Sequence, residues 1–187
     1  MKSFIRAFSC SLPFALALAT RAPAQVTSSL RTITLTADKP EQVTLSAPSP
    51  SSQSVSLSDG AATMFANPFT TTVAWDVSQS TATTVKLVAY FTTPGQALVN
   101  GSSIIPADLI EISLDNGSTW HPVTSNAVAG VGSAGGSYVL YTSPVTQGSN
   151  KRASATVTFH VRINLTSNPS TAAGTYSGAL NLIAICN

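Results

Sequence analysis

Charge is what this sequence has least of. Asp, Glu, Lys and Arg make up 9% of its 187 residues, against about 25% in an ordinary soluble domain. The nine cations are scattered and form no basic stripe, which argues against a nucleic-acid backbone binder. Cysteine occurs twice and histidine twice. There is no Cys-x-x-Cys, no His-Glu-x-x-His, no Gly-x-Ser-x-Gly and no phosphate-cradling glycine loop. The acids Asp38, Glu41, Asp59, Asp76, Asp108, Glu111 and Asp115 are scattered along the chain, and nothing in their spacing pairs two carboxylates as a glycosidase needs. His160 falls between Thr158 and Arg162 on a polar face, and His121 precedes Pro122 near a turn. Both are read as solvated surface side chains. The expectation is a non-enzymatic protein with no metal and no cofactor.

Ser and Thr take the place of the missing charge, at more than a quarter of all residues. Thr suits the outward face of a strand and Ser suits turns. The first 24 residues are read as a secretion signal. Lys2 and Arg6 form a positive start, Ala7 to Ala19 an apolar centre, and Ala22-Pro23-Ala24 a small-x-small cleavage site. The mature chain is then expected to begin at Gln25, secreted or at the cell surface, with no membrane span. Three of the nine cations leave with the leader, so six remain against seven acids, a net charge of −1. Residues 25–187 suit one domain. Cys10 also leaves with the leader, so Cys186 stands alone, and its place beside Leu182 and Ala184 predicts a buried thiol.

Period-two alternation dominates the rest. From Ala153 to Thr166, Val157, Phe159, Val161, Ile163 and Leu165 alternate with Thr158, His160, Arg162 and Asn164. This predicts a strand with one face in a core. A second run from Gly174 to Asn187 follows the turn-like Ser167-Asn168-Pro169-Ser170, and the two together predict an antiparallel hairpin. Further strands are predicted at residues 31–37, 43–45, 73–78, 85–91, 109–114, 119–123 and 138–142, with a short edge strand at 54–57. Residues 46–62, rich in Ser and containing Pro48 and Pro50, read as a connection, and 125–137 as a mobile surface loop. The fold class is therefore all-β: an antiparallel β-sandwich of immunoglobulin-like type, or else a jelly roll or small barrel.

Two short motifs resemble known families. Ser113-Leu114-Asp115-Asn116-Gly117-Ser118-Thr119-Trp120 matches Ser-x-Asp-x-Gly-x-Thr-Trp. It resembles the Asp-box hairpin of sialidases and other propeller proteins, where the motif repeats away from the active site. The resemblance implies a structural role for Ser113, Asp115, Gly117 and Trp120, with sialidase activity not implied. The C-terminal run resembles the closing strand of chaperone–usher pilus subunits. Gly174 is fourteenth from the end, and Tyr176, Leu180 and Leu182 lie in phase with it. The penultimate Cys186 and the missing cysteine pair depart from that pattern. This resemblance implies an immunoglobulin-like domain completed by a strand from a neighbour.

Along Leu180, Leu182, Ile183 and Ile185 the alternation fails, because both faces are apolar. Such a strand must be covered on both faces. Its cover is either the 125–137 loop or another chain, which makes these four residues a candidate subunit contact. The function expected is an exported structural or adhesive surface protein, pilus-like, with itself or other surface subunits as partners. The alternative is a secreted carbohydrate-binding module using Trp75, Trp120, Tyr90 or Tyr138. A small secreted hydrolase ranks third.

Overall fold

The computed structural model describes residues 33–78, 84–126, 131–146, 150–168 and 171–187. The leader, its cleavage site and the turn residues Pro169 and Ser170 lie outside these. The chain divides into two units, Met1–Asp38 and Lys39–Asn187. In the first unit the described residues 33–38 form no strand and are exposed, Ile33 by 84% and Leu35 by 90%. The strand expected at 31–37 is thus not formed over its described part. The alternation is there, but a strand also needs a paired neighbour.

The second unit is antiparallel and all-β. Its largest sheet runs β1 (Gln42–Leu45), β3 (Phe69–Asp76), β10 (Arg152–Asn164), β7 (Ile110–Ser113) and β8 (His121–Pro122), with β2 (Ala62–Met64) pairing on β10 beyond the end of β3. The facing sheet is β11 (Asn181–Cys186), β4 (Thr84–Tyr90) and β9 (Ser137–Pro144). A two-stranded ribbon, β5 (Leu98–Asn100) and β6 (Ser103–Ile105), stands apart from both. Two single-turn 3-10 helices, Pro94–Gln96 and Ala107–Leu109, complete the elements. Among the described residues no helix is long and apolar enough to cross a membrane.

β10 organises the core. Val157, Phe159, Val161, Ile163 and the following Leu165 are all buried. They meet Ile110 and Ile112 of their own sheet and Leu87, Ala89 and Leu140 of the facing one in a single cluster. Fully burying each such side chain contributes a gross ~1.5–3 kcal/mol, an upper bound because real unfolded chains are already partly collapsed. A second, smaller cluster at the other end holds Val73, Trp75, Val77, Val85 and Val145. The outward face of β3 and β10 carries paired hydroxyls, Thr70 with Thr158 and Thr72 with Thr156, each at 3.1 Å.

Several expectations are corrected. β10 and β11 do not form a hairpin, because β10 is flanked by β3 and β2 on one side and β7 on the other. The chain crosses between sheets instead, and β11 pairs with β4. The run from Gly174 is not continuous: only residues 181–186 form a strand, and Ser177 makes an isolated bridge to Val99. Leu180 therefore precedes the strand. The edge strand expected at 54–57 is not formed: these residues pair with no strand among the described residues. Cys186 is half-buried rather than buried. His160 is half-buried, and its Nδ1 is buried without a hydrogen-bond partner, not solvated.

Candidate functional site: an open sandwich edge

The backbone of β11 shows what its edge can do. Thr84 and Asn187 exchange hydrogen bonds of 2.8 and 3.0 Å, N–H to carbonyl in both directions. In an antiparallel ladder such pairs alternate with unbonded ones. Asn181, Ile183 and Ile185 therefore turn their backbone groups to β4, opposite Tyr90, Val88 and Lys86. Leu182, Ala184 and Cys186 turn theirs the other way. No strand pairs with that second edge among the described residues.

Beside this edge the two sheets part. A cavity of about 290 Å³ opens between Leu180 and Leu182 on one lip and residues 51–53 on the other, floored by Phe65, Phe69, Phe159 and Ile163. A second, of about 770 Å³, continues between residues 53–57 and 171–178, over Leu98, Ile163 and Leu165. The two share Gln53, Phe65, Leu98, Ile163 and Gly178 as walls. The close approach of ribbon β5–β6 shapes this gap. A Cβ on Gly178 would lie 1.9 Å from the Ala97 carbonyl oxygen, so any side chain there would push the two apart. At the far end β1 lies against β11, and its Val43 and Leu45 pack on the same cluster as Ala184 and Cys186. Burial pushes the Cys186 thiol up, and the Glu41 carboxylate adds to this, both of which favour the protonated thiol over the thiolate.

The candidate contact residues split between two faces. Leu180 and Leu182 pack on the main core cluster and line the cavity. Ile183 and Ile185 are half-buried on the opposite face, and Ile183 sits beside the fully buried Val88. On that face Gly132 lies against Tyr90, where a Cβ would sit 3.1 Å from the Tyr90 Cβ. Ser125 bridges Ser137 at the β9 edge. Residues of the 125–137 loop thus reach the β9 side of this face, and 127–130 lie outside the described residues. Sequence reasoning placed Phe159 in the core but missed Phe65 and Phe69 of the cavity floor, and it missed the ribbon, whose three-residue strands carry too little periodicity to show.

A hairpin forms around residues 113–120. β7 and β8 pair through Glu111–Pro122 and Ile112–His121. The buried Ser113 hydroxyl donates to Asp115 Oδ1 at 2.7 Å and accepts the Gly117 N–H at 2.8 Å. Asp115 accepts the backbone N–H and the hydroxyl of Thr119. Gly117 has φ +85° and lies under Trp120. The Arg162 guanidinium stands 4.4 Å from the Trp120 ring centroid and is held by Glu111, which covers the ring with a cation rather than leaving it for a ligand.

The bonds from Thr119, then Ser113, hold the Asp115 carboxyl well below the usual range. A depressed folded-state value means that its stabilisation is present above the unfolded value near 4. It is lost as pH falls through the folded value. Asp115→Asn is therefore expected to melt at a lower temperature than wild type at pH 7, with the gap closing as pH is taken well below 4. Thermal melts of both proteins at a series of pH values check this.

Of the other aromatics, Trp75 is 4% exposed and donates its indole N–H to the Asn150 carbonyl at 2.7 Å. Tyr138 stacks on His121 with centroids 5.5 Å apart. Among the described residues no group of three His, Cys, Asp or Glu side chains could hold a metal ion. Comparison with known protein families, with curated proteins and with solved structures finds no match.

Proposed function

We propose that this chain is an exported, non-enzymatic structural subunit that associates with further copies of itself by strand addition. In this reading the segment Arg31–Ala37 of one copy lies along the free edge of β11 in another. The observation that carries it is the exposure of Ile33 and Leu35. They alternate with Thr32, Thr34 and Thr36 in a chain whose sandwich has an edge unpaired among the described residues, beside an apolar gap. An edge strand presents unused N–H and C=O groups that template pairing with another chain. In strand addition, main-chain bonds supply affinity and alternate side chains supply specificity. Seven extended residues span roughly 23 Å, long enough to run the length of β11 and beyond. Burying Ile33 and Leu35 contributes a gross ~1.5–3 kcal/mol each, set against the cost of ordering the segment and joining two molecules.

The sandwich is then immunoglobulin-like and short of one edge strand, as the resemblance of the C-terminal run to pilus subunits implies. Export rests on the leader signature at Lys2, Arg6 and Ala22-Pro23-Ala24. The carbohydrate-binding alternative has less support, with Trp75 buried and Trp120 capped by Arg162.

Sedimentation of the chain beginning at Gln25 tests the reading. Oligomers that grow with concentration are expected, and Ile33→Asp with Leu35→Asp should return the protein to monomer with its melting temperature unchanged. A wild-type chain that stays monomeric at high concentration would overturn the proposal.

A further inference from the structure

The dipeptide Asn-Gly occurs twice in the chain. Asn100-Gly101 opens the turn between β5 and β6, and Asn116-Gly117 lies in the turn between β7 and β8. Asn is among the thermally labile residues, and a following glycine adds to this. With no Cβ in the way, the glycine nitrogen can attack the amide carbon of the Asn side chain. That nitrogen must first give up its proton, so the reaction needs an N–H that hydroxide can reach.

The two turns differ at this N–H. Gly101 and Ser102 are exposed, and a Cβ on Gly101 would meet nothing within 4 Å. The Gly101 N–H makes no hydrogen bond among the described residues. Gly117 is half-buried, and its N–H donates to the Ser113 hydroxyl at 2.8 Å. That hydroxyl is itself held by Asp115. The same dipeptide is thus open in one turn and locked in the other.

Asn100 also stands at a joint. The ribbon grips the segment that leads from β10 to β11. Val99 and Ser177 exchange N–H to carbonyl bonds of 2.9 and 3.0 Å. One residue further, the Asn100 amide donates to the Ala173 carbonyl at 3.4 Å. It packs on Gly174, where a Cβ would lie 1.9 Å from the amide nitrogen. Residues 171–178 form one wall of the larger cavity.

We propose that Asn100-Gly101 is a site of spontaneous deamidation that loosens this joint. Hydroxide takes the Gly101 proton, the Gly101 nitrogen bonds to the Asn100 side-chain amide carbon, and a succinimide ring closes as ammonia leaves. Water then opens the ring at either carbonyl and leaves an aspartyl or an isoaspartyl residue. Nothing is oxidised or reduced, and water is the co-reactant. Both products carry a carboxylate, which accepts hydrogen bonds and donates none, so the bond to the Ala173 carbonyl is lost and two oxygens face each other. In the isoaspartyl product the main chain also runs through the former side-chain carbon. The ribbon has only three registered pairs, Leu98–Ile105, Val99–Ile104 and Asn100–Ser103, and the extra atom disrupts the last of them. The change is one-way, needs no enzyme and does not depend on strand addition.

The chain beginning at Gln25 is held at mildly alkaline pH, folded and in urea, and peptides spanning both turns are followed by mass spectrometry. In the folded protein Asn100 should convert about tenfold faster than Asn116 or more, the effect of one held N–H. In urea the two rates should converge, because the local sequence is then all that differs. No conversion at Asn100, or equal rates in the folded protein, would overturn the site. The loosening is read by amide hydrogen exchange in Asn100→Asp. Exchange at Val99 and Ser177 should quicken by about tenfold or more, while that of β10 stays as in wild type. Aged wild-type protein gives the same readout without a substitution. Unchanged exchange at Val99 and Ser177 in both would overturn the loosening.

Discussion

Ile163→Asp should abolish cooperative folding at neutral pH. Ile163 is 2% exposed, pairs with Ile110 on one side and Thr63 on the other, and lies between Val161 and Leu165 in the main cluster. An aspartate there loses the burial of the largest part of the side chain and places a carboxylate where no cation stands in the core cluster. The two effects together cost about 4 kcal/mol or more, close to the whole stability of a small domain, about 5–15 kcal/mol. Ile163→Val removes one methyl group and should cost only about 1 kcal/mol. Thermal melts followed by far-ultraviolet circular dichroism compare them. The valine variant should melt as a single transition slightly below wild type, and the aspartate variant should show none. A soluble aspartate variant with a wild-type melt would place Ile163 outside the core and undo the facing of the two sheets.

β10 was legible because thirteen residues of alternation leave one answer for which face is buried. The length of the run does the work: a one-residue slip would bury Arg162 and expose Phe159. Partner choice is a different matter. The hairpin expected between β10 and β11 failed because alternation says which face a strand buries, not which strand it lies beside. The same gap explains residues 33–37 and 54–57, which alternate as strands do but find no ladder among the described residues. The turn at residues 113–119 was legible because its geometry is local: Ser113, Asp115, Gly117 and Thr119 satisfy one another within seven residues. His160 was misread for the opposite reason. A polar face along one strand does not reveal which of its side chains the neighbouring strands cover.

The ladder parity of β11 leads to the sharpest expectation about association. Proline lacks an N–H and suits only strand positions whose N–H is not used. Ala184 points its N–H away from β4, so Ala184→Pro removes no bond of the existing sheet. It leaves the core volume nearly unchanged, because Ala184 only flanks the smaller cluster. Ile185 pairs with Lys86 through hydrogen bonds, so Ile185→Pro breaks the ladder and should cost about 3 kcal/mol. If strands add to the β11 edge, Ala184→Pro should fold with a modest loss of melting temperature and sediment as monomer at concentrations where wild type associates. Ile185→Pro should instead lose most of its thermal stability. Two residues adjacent in sequence and alike in apolar character are thus separated by backbone direction alone, one failing in assembly and the other in folding. An Ala184→Pro protein that still forms wild-type oligomers would mean that the copies meet elsewhere. The outer face of Ile183 and Ile185 would then be the next surface to test, with Ile183→Lys as the probe.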